Sequence, residues 1–271
     1  MTGPVVPAVP AFDHIFVVIM ENHSATQIIG SAEAPYINSL VAEYGLAGNY
    51  TAITHPSLPN YLALTGGSTF GLSTDCTDCF QNAPNIAVDR LVPAGLTWRG
   101  YMESIPSPAF VGDDYPYMQK HDPFVYYDNI RTDPAQFANV VPYTRLAVDL
   151  ASAQTTPAFG WITPNMIDDM HDGTVAQGDA WLSTAIPAIL ASDAFTLEKS
   201  LLFITWDEND DSPGNQIATL VIADDIPPGY ISQVPYNHYS LLRTIEESWG
   251  LAPLTGNDAA AVPMSDFFPA G

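Results

Sequence analysis

The sequence predicts an α/β fold, a three-layer sandwich around a mostly parallel central sheet. Two apolar runs, 14–20 and 200–206, are continuous rather than alternating, which is typical of strands buried on both faces. Strand-like and helix-like segments alternate along the rest of the chain, as they do in βα units. With 271 residues and 47% hydrophobic composition the chain can bury a full core, and we expect one domain over residues 1–271.

The other elements follow in order along the chain. Further strands are predicted from apolar and aromatic segments at 96–101, 158–163 and 219–223. Helical spacing, in several cases closed by a glycine, occurs at 35–44, 58–64, 180–192 and 239–249. Residues 68–95 and 104–135 are rich in Pro, Asp and Tyr, and we predict that they are long insertions forming part of the wall of a site.

The charge balance argues against some classes of partner. Thirty acidic residues stand against seven basic ones, a net charge of −23, and such a field repels nucleic acid and anionic membrane surfaces. No apolar run is long enough to span a bilayer, so no stable membrane insertion is expected. If the substrate is an anion, so few lysines and arginines cannot be relied on to hold it. A bound cation and the histidines would have to do so.

The two cysteines bear on the compartment. Cys76 and Cys79 are too few for a four-cysteine zinc site, and we favour a local disulfide in an exported protein over free thiols. No signal peptide precedes the first strand, but Pro4 to Pro10 resembles the leader of a mature domain. We therefore expect a secreted, periplasmic or cell-surface protein, a monomer or weak oligomer, from which an N-terminal address has been removed.

Polar side chains follow both buried strands at the point where each strand ends. Glu21 and Asn22 come directly after the first run, and Asp207 and Glu208 come directly after the second. In open α/β sheets, ligands bind outside the carboxyl ends of the strands. Neighbouring strand residues point to opposite faces, so each pair converges on one ion only if the backbone leaves strand geometry there. Oxygen-rich ligation favours one Ca²⁺, Mg²⁺ or Mn²⁺ ion and does not exclude Zn²⁺.

Ser57 precedes a predicted helix and has two interpretations. It is either a helix N-cap or a nucleophile at a helix end, where free N–H groups and positive potential would receive a phosphate. A nucleophilic serine needs a base or a metal, and a metal bound by the two acidic strand ends is the natural activator. Five of the six histidines, all except His14, lie in or beside polar clusters, and this pattern favours phosphate contacts or proton transfer over simple solvation. His121, His171 and His238 are among them.

Five motifs occur in the order in which one known family carries them. They are Met20-Glu-Asn-His-Ser24, His55-Pro-Ser-Leu-Pro-Asn-Tyr-Leu62, Pro164-Asn-x-x-x-Asp-x-His-Asp172, Thr205-Trp-Asp-Glu208 and His238-Tyr-Ser-Leu-Leu-Arg-Thr-Ile-Glu246. The chain resembles the bacterial phosphoesterase family of secreted acid phosphatases and phospholipases C, within the alkaline phosphatase superfamily. Its compact length is most similar to the mycobacterial-type secreted acid phosphatases.

The resemblance implies a role for each candidate residue. The ligands of one divalent metal ion would be Glu21, Asn22, Asp207 and Glu208, with Ser57 as the nucleophile. The residues around the phosphate would be Asn60, His121, His171, Asp172 and His238. Either His171 or His238 would protonate the leaving group.

The resemblance also implies the reaction. We expect a metal-dependent phosphomonoesterase that hydrolyses a small phosphate ester, or a phospholipid or phosphoinositide head group, through a phosphoserine on Ser57. The nearest alternative is a phospholipase C or phosphodiesterase that uses the same centre. It would need an apolar rim, which the aromatic residues at 110, 115, 117, 124, 126 and 127 would supply unless they pack onto the core. An alternative of another class is a non-catalytic exported cation-binding domain.

Overall fold

The protein's structure, a computed structural model, describes residues 9–268. The predicted leader at Pro4 to Pro10 lies largely outside the described residues. The strands within this range are β1 His14–Met20, β2 Gly45–Ala47, β3 Tyr50–Thr51, β4 Trp98–Met102, β5 Val140–Pro142, β6 Phe159–Thr163, β7 Ser200–Trp206, β8 Thr219–Ile222, β9 Tyr230–Ser232 and β10 Tyr236–Asn237.

Eight of these strands form one sheet, with the order β5-β4-β6-β1-β7-β8-β2-β9, while β3 and β10 pair separately. The run from β5 to β7 is parallel throughout. Strand β8 is antiparallel to both of its neighbours, and β9 is parallel to β2. The mostly parallel sheet that the sequence predicts is therefore confirmed, with one reversed strand near an edge.

The α-helices within the described range are α1 Ala25–Ile28, α2 Pro35–Glu43, α3 Ser57–Gly66, α4 Asp128–Arg131, α5 Pro134–Phe137, α6 Leu146–Asp149, α7 Val175–Leu190, α8 Asp193–Thr196, α9 His238–Ser248 and α10 Gly256–Ala260. None of the helices in residues 9–268 combines the length and the apolar character needed to cross a membrane.

Helices cover both faces of the sheet. Trp161 of β6 pairs with Val17 of β1, and its ring lies 6.0 Å from the ring of Tyr61 in α3. Met20 is three positions after Val17 in β1 and therefore points to the other face of the sheet. Its side chain reaches α7 at Gly178. Because alternate residues of a strand point to opposite faces, α3 and α7 lie on opposite sides. This is the three-layer arrangement.

The continuous apolar runs give the most faithful predictions. Strands β1 and β7 have the predicted bounds, every one of their residues is buried, and they pair along their full length at the centre of the sheet. Helix α7 begins five residues before the predicted segment because Thr174 caps it, its side chain accepting a hydrogen bond from Gln177 N. The three-residue strands β2, β5 and β9 were not predicted.

The two predicted insertions fold back over the carboxyl end of the sheet. In the first, Asp75 reaches the N-terminus of α3, where it accepts a hydrogen bond from Leu58 N. In the second, Lys120 contacts Asp75, and His121 contacts Glu21. The disulfide between Cys76 and Cys79 is present, so the pairing that the sequence favours is confirmed.

Candidate active site

The site forms where β1 and β7 end side by side. Met20 and Trp206 are partners in the last register position, so Glu21 and Asp207 leave the sheet together. Asn22 has a positive φ of 53°, a conformation that Asn tolerates better than most residues, and its N–H donates to Asp207 Oδ1 at 3.2 Å. The backbone thus departs from strand geometry at the point where convergence of the side chains requires it.

Glu21 is the most heavily contacted carboxylate of the site. It is fully buried, its Oε1 accepts a hydrogen bond from Tyr61 Oη, and its Oε2 accepts one from Ser57 Oγ at 3.2 Å. Burial alone would raise the pKa of Glu21, but the charge of His121, 3.3 Å from Oε2, outweighs burial and lowers the pKa to about 2. Glu21 is therefore an anion, held in place by two side chains of α3 and by His121 of the second insertion.

Asp207 and Glu208 add two more buried carboxyl groups to the pocket. Burial, the negative charge of Glu21 and that of Glu208 raise the pKa of Asp207 well above its ordinary value. Burial and the charge of Glu21 raise the pKa of Glu208 to about 8. Asp207 Oδ2 is buried and has no hydrogen-bond partner among the described residues. Three adjoining buried carboxyl groups, one with an unpartnered oxygen, would be stabilised in their ionised form by a bound cation.

Two overlapping sets of donor atoms fit a divalent metal ion. One contains two imidazoles with Glu21, and the other contains the carboxyl and amide oxygens at the two strand ends. Glu21, His121 and His171 each place one ligand atom within 4.8 Å of the other two. Asp207 and Glu208 do not join that group in the described part of the chain, although the Asp207 and Glu21 carboxyl groups adjoin. Hard cations prefer the oxygen set, whereas the set with two imidazoles suits zinc or another transition metal. The residues thus fit a metal centre without selecting the ion.

Ser57 lies at the first position of α3, and Pro56 rather than Ser57 is the N-cap. Its Oγ donates to Glu21 Oε2, so the interpretation of Ser57 as a simple cap is wrong. The residue is only 1% exposed, and the carboxylate that accepts its hydrogen bond, that of Glu21, is itself fully buried. A buried hydroxyl at a helix N-terminus, hydrogen-bonded to a carboxylate that could bind a metal, is in an environment typical of a nucleophilic serine.

His121 lies between two acids in the second insertion. Its Nε2 is 3.3 Å from Glu21 Oε2 and its Nδ1 is 3.2 Å from Asp169 Oδ2, while its ring stacks on Tyr61 at 5.4 Å. Burial alone would lower the pKa of His121, but Glu21 and Asp169 raise it to about 9. His121 is therefore cationic, and its buried Nε2 donates no well-directed hydrogen bond to any described residue.

His171 sits at the mouth of the pocket in a chain of polar contacts. Its Nδ1 is 2.8 Å from Asp172 Oδ1, and Lys120 Nζ donates to its Nε2 at 3.0 Å. Lys120 also pairs with Asp75 at 3.2 Å. Burial alone would lower the pKa of Lys120, but the charges of Glu21 and Asp75 raise it, so the ammonium group stays charged beside the carboxylates.

His238 and Asn60 are at the site, but their polar atoms are already engaged. His238 is fully buried; its Nε2 donates to the backbone carbonyl of Asp207 at 2.6 Å, and its Nδ1 accepts from Tyr50 Oη at 3.1 Å. Burial lowers the pKa of His238 to about 4, which keeps the ring neutral. The Asn60 amide binds the backbone of the loop before α3 and donates to Glu208 Oε2 at 3.1 Å. Both residues therefore position the acidic strand end.

Several residues of the site were not among the sequence-derived candidates. Tyr61 lies one helical turn after Ser57, and that spacing alone places both on one face of α3. Asp169 lies inside the third motif, Pro164 to Asp172, two residues before His171. Asp75 and Lys120 have no such signal, because they reach the site through long insertions. His55, whose Nδ1 is 3.0 Å from Glu208 Oε2, is a further contact that we did not assign.

Comparison with known proteins identifies the family. The Phosphoesterase family model matches residues 31–252. The phosphatidylinositol-3-phosphatase of Mycobacterium tuberculosis is 38% identical over 268 residues, which is 98% of this chain and 86% of that protein. The probable acid phosphatase of Kluyveromyces lactis is 30% identical over 264 residues, covering 93% of this chain. This chain spans only 61% of the length of that fungal relative.

Solved structures agree on the fold. A protein of the alkaline phosphatase superfamily from Vibrio parahaemolyticus has a TM-score of 0.65 at 13% identity, covering 100% of this chain and 75% of that one. The phosphonate monoester hydrolase of Agrobacterium radiobacter has a TM-score of 0.61 at 10% identity, covering 94% and 77%. The chain therefore belongs to the Phosphoesterase family and is a phosphoric ester hydrolase with an alkaline-phosphatase-like fold.

Proposed function

We propose that the protein is a metal-dependent phosphomonoesterase of the acid phosphatase type, with Ser57 as the nucleophile. The observation that carries this proposal is the hydrogen bond from Ser57 Oγ to the buried Glu21 carboxylate at the N-terminus of α3. The names of the relatives support the substrate class, since one is a phosphatidylinositol-3-phosphatase and others are acid phosphatases.

The proposed metal ligands are Glu21, Asn22, Asp207 and Glu208. When bound, a divalent cation would lower the pKa of the Ser57 hydroxyl and offset charge on the phosphate. The chain's own contribution is to hold these groups rigidly. Tyr61 fixes one oxygen of Glu21, while His238 fixes the backbone of Asp207 and Asn60 orients Glu208.

In the proposed reaction, Ser57 Oγ attacks phosphorus in line and the bond to the leaving oxygen breaks. Charge on the equatorial oxygens would be met by the Leu58 N–H, by His121 and by Lys120, all of which adjoin Ser57 or Glu21. We assign protonation of the leaving alkoxide to His171, and the same residue would then activate the water that releases phosphate from Ser57. His171 is preferred over His238 because its side chain is 21% exposed at the mouth of the pocket, whereas His238 is fully buried and held by Tyr50 and the Asp207 carbonyl.

The burial of the aromatic residues in the second insertion favours a monoester over a lipid diester as the substrate. Tyr117, Phe124, Tyr126 and Tyr127 are buried, and Phe110 packs its ring against Tyr117. Only Tyr115 of the six is largely exposed, at 60%. The apolar rim that a phospholipase C would use is thus reduced to one ring, so the head group rather than the lipid chain would be recognised.

The disulfide bears on the proposed location. The bond between Cys76 and Cys79 closes the loop that carries Asp75 into the site, and disulfides persist in oxidising compartments. We therefore propose that the protein works outside the cytoplasm, in the secreted or periplasmic space.

Hydrolysis of p-nitrophenyl phosphate between pH 4 and 9, with and without EDTA, tests the proposed function. We expect turnover that EDTA abolishes and a divalent cation restores, and that Ser57→Ala lacks. Ser39→Ala, on the exposed side of α2, is the matched control and should behave as wild type. Full activity in Ser57→Ala would refute the nucleophile, and cleavage of bis-p-nitrophenyl phosphate alone would replace the monoesterase with a diesterase. Metal-dependent stabilisation without any turnover would indicate the cation-binding domain instead.

A further inference from the structure

Asp75 occupies the position of an anion beside Ser57. Its Oδ1 accepts a hydrogen bond at 3.0 Å from the N–H of Leu58, the residue that follows Ser57 at the start of α3. Its Oδ2 is 3.2 Å from Lys120 Nζ. One carboxylate therefore bridges a helix N-terminal N–H and an ammonium group, two donors that suit a phosphate equally well.

Lys120 is the lysine or arginine on which an anionic substrate would depend. All seven lysines and arginines lie within the described residues, and the others are engaged elsewhere. They bind backbone carbonyls or acids away from Ser57: Arg90, Arg99, Arg131, Arg145, Lys199 and Arg243. Lys120 alone touches His171 and Asp75 in the proposed phosphate pocket. A phosphate that binds there has to share this ammonium group with Asp75 or take it over.

The loop around Asp75 is fixed, while the side chain itself reaches solvent. The backbone carbonyls of Cys76 and Thr77 accept hydrogen bonds from Tyr126 Oη at 2.9 Å and Gln119 Nε2 at 2.8 Å, and the disulfide closes the loop. The Asp75 side chain is 25% exposed. Displacement therefore needs a side-chain rotation and no opening of the loop.

We propose that Asp75 is an internal competitor for the phosphate site, an affinity-determining residue that substrate and product must displace from Leu58 N–H and Lys120. The inference rests on the proposed phosphoryl transfer at Ser57. Its consequence is weak retention of inorganic phosphate, because the carboxylate returns to the same two donors when the product leaves. A purely structural role, in which Asp75 only holds Lys120 in place, has the opposite consequence, since removal of the carboxylate would then weaken phosphate binding.

The sign of the effect of Asp75→Asn on phosphate affinity separates the two roles. Asparagine keeps the size and the acceptor for Leu58 N–H but removes the charge. We expect it to lower the KM for p-nitrophenyl phosphate, and to lower both the inhibition constant and the calorimetric dissociation constant of inorganic phosphate about tenfold, because like charges in a partly buried site repel strongly. Asp75→Ser, which also removes the bridge, should shift phosphate affinity in the same direction.

Asp78→Asn is the matched control, with the same charge change in the same disulfide loop on an exposed side chain. It should leave phosphate affinity within about twofold of wild type, since exposed charges are well screened. Suppose that the wild type shows turnover that depends on Ser57. Phosphate affinity that is unchanged or weaker in both Asp75→Asn and Asp75→Ser would then overturn this inference and leave the proposed function standing. Absence of Ser57-dependent turnover in the wild type would overturn the proposed function and this inference with it.

Discussion

Glu246 is a buried acid in α9, outside the proposed metal site. Its raised pKa makes the stability of the protein depend on pH. The residue is fully buried, and its Oε1 accepts a hydrogen bond from Leu254 N, which also donates to Asp258 Oδ2. Burial and the adjoining Asp258 raise the pKa of Glu246 from 4.5 to about 9. The nearest cation is Arg243, whose Nη1 lies 3.8 Å from Glu246 Oε2 and offsets only part of this effect.

The direction and size of the pH dependence follow from the two pKa values. Below about pH 4.5 both the folded and unfolded states hold the proton, so Glu246 contributes no slope. Between there and about pH 9 only the unfolded state releases it, so the free energy of unfolding falls as the pH rises. At about 1.4 kcal/mol per pH unit over the interval from about pH 4.5 to pH 7, the loss by pH 7 is roughly 3 to 4 kcal/mol. Glu246→Gln keeps a donor toward Asp258 and removes the proton release.

Urea unfolding at a series of pH values from 5 to 8.5 measures this slope. We expect the wild type to lose stability over this range, and Glu246→Gln to lose up to about 3 kcal/mol less by pH 7. Glu33→Gln, a carboxyl group on the surface, should follow the wild type. Parallel pH curves for the wild type and Glu246→Gln would refute the reasoning, since they would mean that Glu246 is ionised in the folded protein.

Three further substitutions test other contacts. Tyr61→Phe removes a hydroxyl that donates a hydrogen bond to Glu21. It should lower kcat/KM about tenfold and weaken the metal affinity measured by EDTA titration. Unchanged metal affinity would contradict a role for Tyr61 in positioning Glu21. Lys120→Gln should raise the KM for p-nitrophenyl phosphate about tenfold with a smaller change in kcat, and an unaltered KM would count against phosphate contact. Gly173→Ala places a methyl group against a backbone carbonyl of its own loop and should lower Tm by several degrees, whereas Gly256→Ala meets open space. Equal Tm values for the two glycine variants would show that the loop relaxes without cost.

The sequence determines the centre of the fold better than its edges. Continuous apolar runs give β1 and β7 their bounds because burial on both faces leaves no polar position to confuse the pattern. The edge strands β5 and β9, and β2 beside β9, have three residues each, too few for any periodicity to emerge. The reversal of β8 likewise has no local signal, because chain direction is set by the connection and not by the strand's own residues.

The candidate site is predictable where the residues lie in or beside regular elements. Glu21, Ser57 and Asp207 could be located because two strand ends and one helix start meet at the same edge of the sheet. Lys120 and Asp75 could not, since their approach depends on how two long insertions close over that edge. The sequence also does not reveal whether the ring nitrogens of a histidine are available to a substrate. Both nitrogens of His238 are occupied by buried hydrogen bonds that no local pattern predicts.

The central claim is that phosphate passes through Ser57, and trapping the intermediate tests it most directly. The enzyme would be quenched in acid during steady-state turnover of p-nitrophenyl phosphate with a divalent cation present, and its peptides mapped by mass spectrometry. We predict a phosphate on Ser57 in the wild type that is absent without metal and absent in Ser57→Ala. Sustained turnover in Ser57→Ala, or a phosphate trapped on another residue, would contradict the account.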